Sequence, residues 1–280
     1  MRGSSDPGSK PGKVDGAKEE IPERHGSRSP GTLKVIGLGP GNSDYLAPSA
    51  RHALKEADVI VGYKGYIELI DTDILQDKNV ISTGMRGEIE RCLKAIDAAM
   101  AGKKTVVVSS GDPGIYGMAG LVMELLHEKN LLHKVEVEII PGIPALSAAA
   151  SLLGAPLMHD FAVVSLSDLL TPWEVIKKRL ITALEADFVI VIYNPRSRKR
   201  GWQLSEALKL VIEYRGGAVP VGIVRNAART DQQVSVVRAD QVDAESIDML
   251  TILFVGNSKT RQRGEFMVTP RGYLDKYGHR

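Results

Sequence analysis

The sequence contains a single cysteine, Cys92, among its 280 residues. One cysteine excludes an internal disulfide and any cysteine-cluster metal or iron–sulfur site, and it suits a reducing cytoplasm. Because the helix-period segment LKAI follows Cys92, we expect the thiol to be a small buried side chain. The six histidines are scattered without HxxxH or HxH pairs, so the sequence predicts no metal site.

The sequence also has little excess charge and no long apolar run. Lysine and arginine total 36 against 34 for aspartate and glutamate, which provides no global field for nucleic acid or an anionic membrane. No apolar segment approaches the ~20 residues that cross a bilayer, and no signal peptide opens the chain. We therefore expect a cytoplasmic protein with neither a nucleic-acid nor a membrane partner. Any charged ligand must be bound by a local group of charged residues.

Apolar residues make up 43% of the sequence, enough for one large core or two smaller ones. Residues 1–31 are rich in glycine, proline, serine and charge, and we predict a disordered extension there. From Thr32 onward, short β-branched runs alternate with segments of helical period. This alternation is typical of an α/β fold with a largely parallel sheet.

The pattern predicts a boundary between two domains near residue 157. The small-residue helix predicted over 145–153 ends in LGAPLMHD, where glycine and proline indicate a linker. The sequence therefore predicts two α/β domains with an inter-domain cleft, over residues 32–156 and 157–265, followed by a tail at 266–280.

The segment KVIGLGPGNSDYL, residues 34–46, places three glycines within five residues directly after an apolar run. A dinucleotide fingerprint would need glycine at position 42 after Gly37 and Gly39, but Asn42 stands there. A P-loop would need a lysine that NSD does not supply, and Pro40 removes one amide donor. Two interpretations stay open: a turn that caps a helix, or a close backbone approach to a bulky ligand.

Two further predicted strands end in loops of similar composition. SSGDPGIYG, residues 109–117, follows TVVVS, and IPGIPALSAAA, residues 140–150, follows VEVEI. Ligands of open α/β sheets bind beyond the carboxyl ends of the strands, so these loops predict the pocket. They offer backbone groups and shape with few side-chain functions. Asp112 is the exception, and it is either a turn former before proline or a ligand contact.

Taken together, several segments resemble the tetrapyrrole methylases of cobalamin and sirohaem synthesis. The resemblance runs from Thr32 to about Gln262 and rests on VIGLGPGNSDYLAPSARHALKEADVIVGY, SSGDPGIYG, PGIPALSAAASLLGAPL, FVIVIYNPRSRKR and TILFVGNS. Within that family, SLSDLLTPW, YNPRSRKR, IVRNAART and FVGNS are similar to the ring-contracting C-17 methyltransferases of precorrin-3B or cobalt-factor III. The resemblance implies two α/β domains, S-adenosylmethionine bound between them, an anionic tetrapyrrole substrate and a homodimer.

The resemblance also implies which residues form the site. It places the glycine loop, with Gly39 and Gly41, against the macrocycle. It carries the cofactor contacts over to Pro40, Gly111, Asp112, Ile115, Pro144, Ala145, Asn194, Asn226 and Ala227. Some family members have threonine where Pro144 stands and methionine where Asn194 stands, so at these two positions the carry-over holds for backbone contacts only.

Methyl transfer itself requires alignment of donor and acceptor and exclusion of water, whereas ring contraction also moves a proton. The segment SLSD follows a predicted strand, and we expect Asp168 or Ser167 to assist that proton transfer, with a turn and capping role as the alternative. Thr171 is predicted to cap a helix that starts at Pro172. His159 is either a base or a structural hydrogen-bonding residue.

The densest cationic cluster is RSRKR, residues 196–200. A solvated loop and a nucleic-acid patch are both open interpretations, but no aromatic residues alternate with the charges. Because arginine pairs with carboxylates bidentately, we expect Arg196 and Arg198 to bind the acetate and propionate groups of the substrate, together with Arg225 and with Arg229 as an addition.

Two other functions remain as alternatives. The first is methylation of another acceptor by the same fold: a different precorrin position, uroporphyrinogen or RNA. The second is a non-catalytic protein that binds a tetrapyrrole or a nucleotide without turnover.

Overall fold

A computed structural model describes residues 31–197 and 200–278. The first half of the chain forms a five-stranded sheet in the order β3-β2-β4-β1-β5, and every neighbouring pair in it is parallel. Its strands are β1 Thr32–Gly37, β2 Val59–Tyr63, β3 Asn79–Thr83, β4 Thr105–Ser109 and β5 Glu136–Ile140. The predicted disordered extension lies outside the described residues except for Gly31.

Helices cover both faces of this sheet. They are α1 Pro48–Glu56, α2 Lys64–Ile67, α3 Thr72–Leu75, α4 Glu88–Met100 and α5 Ala119–Glu128. Alternate residues of β1 enter opposite cores, with Val35 against α4 and α5 and Ile36 against α1. Cys92 is fully buried on α4, as predicted, and burial raises the pKa of its thiol to about 11.

The second half forms another five-stranded sheet, in the order β10-β9-β11-β8-β7. Its strands are β7 Phe161–Ser165, β8 Val189–Tyr193, β9 Pro220–Arg225, β10 Gln233–Arg238 and β11 Thr251–Val255. Only β7 and β8 are parallel neighbours, because β11 inserts antiparallel between β8 and β9 and β10 pairs antiparallel with β9. The parallel arrangement expected from the first series of strands is confirmed for the first sheet, whereas the second sheet is mixed.

Two longer helices, α7 Trp173–Glu185 and α8 Trp202–Arg215, pack over the second sheet. Their first residues meet, with the rings of Trp173 and Trp202 edge to face at 4.9 Å. The predicted cap by Thr171 is wrong. Pro172 occupies the N-cap position in an extended conformation, and α7 starts one residue later without a side-chain cap.

The helix α6 Ala145–Leu153 has the predicted bounds, but it packs on the second sheet. Leu146, Ala149 and Leu153 join Phe254 in one apolar core. After α6 the chain forms a small sheet, in which β6 Gly154–Ala155 pairs with β13 Phe266–Val268, and β13 pairs with β12 Arg261–Arg263.

Residues predicted as a linker and a tail therefore take part in a sheet. Met267 of β13 is fully buried in the core beneath α6, so ordered packing continues past the boundary predicted at residue 265. The short helix α9 Tyr273–Tyr277 follows it, with its large apolar side chains exposed. The predicted division into two domains near residue 157 stays a prediction. Among the described residues, no helix combines the length and apolar character that crossing a membrane requires.

Candidate active site

Three loops of the first sheet meet at the carboxyl ends of its strands. The loops after β1 and β4 exchange two backbone hydrogen bonds, in which Gly39 N donates to Gly111 O at 3.2 Å and Gly111 N donates to Gly39 O at 2.8 Å. The loop after β5 packs on both, since a Cβ on Gly142 would lie 2.2 Å from Gly111 O and 2.8 Å from Gly37 C. Side chains larger than hydrogen have no room where these backbones touch.

Asp112 holds two of these loops together. Its Oδ1 accepts a hydrogen bond from Gly114 N at 2.8 Å, within its own loop, and its Oδ2 accepts one from Gly142 N at 3.1 Å, in the loop after β5. The turn-forming role weighed for this residue is therefore present in the structure. Both carboxylate oxygens serve backbone donors, so the carboxylate fixes the shape of the loop.

The glycine loop leads into a single 3₁₀ turn at Ser43–Tyr45. Asn42 caps that turn, because its Oδ1 accepts a hydrogen bond from Asp44 N at 2.9 Å. The capping interpretation of NSD is thus confirmed. Gly41, with φ of +133°, and Asn42 line a cleft of about 650 Å³ that also borders α6 and the loop after β9.

Tyrosines join the first-sheet loops to the second sheet. The Tyr193 hydroxyl, at the end of β8, accepts a hydrogen bond from Leu146 N at 2.9 Å, in the first turn of α6. The Tyr116 ring lies 5.3 Å from the Tyr193 ring, and the Tyr116 hydroxyl donates to Val163 O at 3.3 Å. Burial raises the pKa of Tyr193 to about 12, so this hydroxyl stays protonated at neutral pH.

Asn194 follows β8 in the left-handed backbone region, with φ of +51°. Its Nδ2 donates to Ser165 Oγ at 2.9 Å, and Ser165 Oγ also accepts from Ser167 N at 3.2 Å. Arg200, which is buried, donates to Asn194 O at 2.9 Å and to Leu166 O at 2.7 Å. The carboxyl ends of β7 and β8 are thereby joined into one polar network.

Asp168 lies in that network. Its Oδ2 accepts a hydrogen bond from Gln203 Nε2 at 2.8 Å, and its Oδ1 lies 3.9 Å from Arg200 Nε. The carboxylate is partly exposed at the carboxyl end of β7, beside the loop that contains Asn194. The proton-transfer role of Asp168 or Ser167 stays a prediction.

The loop after β9 reaches across to the first sheet. Asn226 is in the left-handed region, with φ of +52°, and Ala227 packs against the core beneath α6. Arg229 extends from this loop, where its Nε donates to Pro40 O at 2.5 Å and its Nη2 donates to Ser110 Oγ at 2.9 Å. Burial lowers the pKa of Arg229, but a guanidinium stays charged at any ordinary pH.

The residues predicted to contact the cofactor thus gather around one place. Ile115, Ala145 and Ala227 all pack against the core beneath α6, and Pro144 caps α6 with its carbonyl. The strands β1, β4 and β5 are parallel, so their loops leave from one end of the first sheet. The strands β8 and β9 both run antiparallel to β11, so their loops also leave from one end of the second sheet. The cofactor contacts themselves stay predictions.

The predicted substrate arginines have partners within the protein. Arg196 donates to Ala244 O at 2.7 Å and forms an ion pair with Glu245. Arg225 Nε donates to Asp248 Oδ2 at 2.8 Å. Burial acts to raise the pKa of Asp248, but the hydrogen bonds from Arg225 and Thr251 hold it below its usual value. Arg198 lies outside the described residues.

His159 lies at the surface before β7. Its Nδ1 accepts a hydrogen bond from Asp160 N at 2.9 Å, as expected of a structural hydrogen-bonding residue. In the part of the chain that the structure describes, no three histidine, cysteine, aspartate or glutamate side chains are grouped so that they could hold a metal ion.

Sequence reasoning missed Tyr116, Tyr193 and Ser110, and it assigned Arg229 to the substrate alone. The local signals are weak, since a tyrosine or serine at a strand end is common. The left-handed φ of +52° at Tyr116 is a stronger sign, but it is visible only in the structure.

Comparison with known proteins agrees with this geometry. The family described as Tetrapyrrole (Corrin/Porphyrin) Methylases matches residues 32–243. The chain is 50% identical over 241 residues to the probable cobalt-factor III C(17)-methyltransferase of Salmonella typhimurium, a match that covers 86% of this chain and 99% of that protein. Two other curated relatives are longer, and the chain spans 46% of one and 54% of the other.

Solved structures show the same fold. The crystal structure of the methyltransferase CobJ is similar with a TM-score of 0.82 at 39% identity, covering 86% of this chain and 100% of CobJ. The uroporphyrin-III C-methyl transferase of Thermus thermophilus, solved in complex with S-adenyl homocysteine, gives a TM-score of 0.58 at 25% identity, covering 81% of this chain and 92% of that one. By sequence and by fold, the chain belongs to the tetrapyrrole methylase family.

Proposed function

We propose that the protein methylates C-17 of cobalt-factor III or precorrin-3B, with contraction of the macrocycle, in cobalamin biosynthesis. The observation that carries the proposal is the match over 99% of a relative that is named for the reaction on cobalt-factor III. That match favours the cobalt compound as the substrate. The geometry agrees with this proposal. The loops of both sheets border an open cleft, and they supply few reactive side chains to it.

We propose S-adenosylmethionine as the methyl donor. The residues that surround the predicted position fit this molecule: Ile115, Ala145 and Ala227 are small or apolar, and the nearby loops present backbone groups. A sulfonium and an adenine ring need apolar contact and backbone hydrogen bonds more than counter-ions. When bound, the molecule supplies an electrophilic methyl group to a ring carbon of the substrate.

The protein's own contribution to methyl transfer is alignment. The loop after β4 is fixed by Asp112 and by its bonds to Gly39, and α6 is fixed by the Tyr193 hydroxyl. Such fixed loops hold donor and acceptor in line and exclude water, which is the main requirement of a displacement at carbon.

Ring contraction adds a proton transfer, which we assign to Asp168 or Ser167. The Asp168 side chain is partly exposed, while Gln203 Nε2 donates to its Oδ2 and Arg200 Nε lies 3.9 Å from its Oδ1, so the carboxylate is held in one orientation. An oriented, partly exposed carboxylate is suited to general acid–base work. The same proposal includes a cytoplasmic homodimer, for which the oligomeric state in solution is the direct check.

The deciding experiment is an anaerobic incubation with S-adenosylmethionine and, in parallel, cobalt-factor III and precorrin-3B, followed by mass spectrometry and absorbance. We expect a gain of one methyl group and a changed chromophore with the cobalt compound. Turnover of precorrin-3B alone would move the assignment to the metal-free substrate. No turnover of either compound, together with tight cofactor binding, would contradict the proposal and favour another acceptor or a binding protein.

A further inference from the structure

Arg229 connects three loops that are distant in the sequence. It lies in the loop after β9 of the second sheet, while its two acceptors, Pro40 O and Ser110 Oγ, lie in the loops after β1 and β4 of the first sheet. The acceptors are 189 and 119 residues away along the chain. One guanidinium therefore sets the position of the glycine loop relative to the loop that contains Gly111 and Asp112.

The surrounding backbone makes room for this side chain. A Cβ on Gly41 would lie 2.5 Å from Arg229 Nε and 2.9 Å from its Cγ, so any other residue at position 41 would displace the arginine. Gly41 also has φ of +133°, which side chains rarely adopt. The packing of Arg229 therefore explains why position 41 is a glycine.

The arginine is not held by an ion pair within the described part of the chain. Among those residues, no carboxylate lies within 4 Å of its guanidinium, in contrast to Arg196, Arg200 and Arg225. Its binding partners are a carbonyl and a hydroxyl, and its fixed planar fork reaches both at once. A lysine has one compact ammonium and cannot reproduce that fork.

We propose that Arg229 is a positioning residue that locks the Pro40 loop to the Ser110 loop in the arrangement that binds the methyl donor. This inference rests on the proposed function, because it takes these loops as the donor site. It assigns Arg229 to the protein's own loops, whereas sequence reasoning placed it with the substrate carboxylates.

The test measures the affinity for S-adenosylhomocysteine by calorimetry and the free energy of unfolding in urea, for the full chain. Arg229→Ala and Arg229→Lys should each raise the dissociation constant about tenfold or more, and Ser110→Ala should raise it severalfold. Because Arg229→Ala already removes the hydrogen bond to Ser110, the double variant Arg229→Ala/Ser110→Ala should bind no more weakly than Arg229→Ala alone.

The matched control is Arg215→Lys. The Arg215 guanidinium is also partly buried and donates to Phe188 O at 2.6 Å and Gly256 O at 2.5 Å. Gly256 follows β11, which runs antiparallel to β8, so it lies at the amino end of β8. Arg215 is therefore at the opposite end of these strands from the candidate site. The control should lose stability with an unchanged dissociation constant.

Three outcomes would count against the inference or its basis. Arg229→Lys with wild-type affinity would overturn it, because charge alone would then suffice. Additive effects of the Arg229 and Ser110 substitutions would also overturn it. Failure of the wild-type protein to bind S-adenosylhomocysteine would instead refute the proposed donor, and the inference would fall with it.

Discussion

At the scale of single residues, the polar side chains of the candidate site act mainly on backbone groups. Asp112 accepts from two amides, Tyr193 accepts from the first turn of α6, and Arg229 donates to the Pro40 carbonyl. Sequence analysis identified Asp112 as a residue of the site, but it could not tell turn formation from ligand contact. The turn bond from Gly114 N is local, but the second bond, from Gly142 N, comes from 30 residues away along the chain.

Asp112→Asn tests this role. The amide group would face Gly114 N or Gly142 N with a donor in place of an acceptor, so we expect a loss of about 1–3 kcal/mol in the free energy of unfolding. We also expect a dissociation constant for S-adenosylhomocysteine that is raised about tenfold, because the loop that contains Gly111 would shift. Urea unfolding and calorimetry measure the two effects.

The matched control is Asp187→Asn. Asp187 also accepts two hydrogen bonds, from Ser258 N at 2.9 Å and Ser258 Oγ at 2.6 Å. It lies just before β8, at the end of that strand away from the site. It should lose stability and keep the affinity of the wild-type protein. Equal affinity in the two variants would refute the role assigned to Asp112.

At the scale of elements, the loops after β1, β4 and β5 form one unit because their backbones touch. Sequence analysis predicted these loops at the correct strand ends, since β-branched runs that stop at glycine or proline are a local signal. It could not predict that Gly37, Gly111 and Gly142 contact one another. Contact between loops depends on the order β4-β1-β5, which no single segment encodes.

Gly142→Ala should damage this unit. The new Cβ would meet Gly111 O at 2.2 Å, and this backbone carbonyl, which accepts a hydrogen bond from Gly39 N, cannot move away cheaply. We expect a loss of about 2–4 kcal/mol in the free energy of unfolding together with weakened S-adenosylhomocysteine binding. The control is Gly120→Ala, in the first turn of α5, where no atom lies within 4 Å of the new Cβ.

Gly120→Ala should leave binding unchanged and stabilise the protein by up to about 1 kcal/mol, because alanine favours a helix over glycine. Urea unfolding of both variants makes the comparison. A Gly142→Ala variant as stable as the wild-type protein would show that the three loops adjust independently.

Strand direction is another property that local pattern did not reveal. The second half alternates strands and helices as the first half does, and β8 and β9 are indeed connected through a helix. However, β11 inserts between them in the opposite direction. An apolar run such as TILFV has the same appearance in either direction, so its orientation is decided by the edge from which the chain enters the sheet.

At the scale of the whole molecule, the end of the described chain returns to complete a core. Met267 of β13 packs with Leu153 and Phe254, and β13 pairs with the two residues that follow α6. The sequence-based prediction ends the second domain at residue 265 and places a tail at 266–280. Met267 is buried between exposed Phe266 and half-buried Val268, which gives too little local signal to predict a strand.

Met267→Ala should therefore destabilise the protein. Met267 is fully buried, and truncation of a buried methionine costs about 2–5 kcal/mol in the free energy of unfolding. Met85→Ala, at a side chain that is 73% exposed, should change that free energy by less than about 0.5 kcal/mol. Urea unfolding measures both, and similar stabilities would contradict the packing of β13.

The sequence by itself determined the alternation of strands and helices, the positions of the strand-end loops and the resemblance to a methylase family. These features are encoded within runs of about ten residues, where side-chain period and turn residues act. Only the tertiary structure decided the direction of β11, the return of β13 and the partners of Arg229. Those contacts join residues far apart in the chain, and they form only when both sheets are folded and their loops have come together.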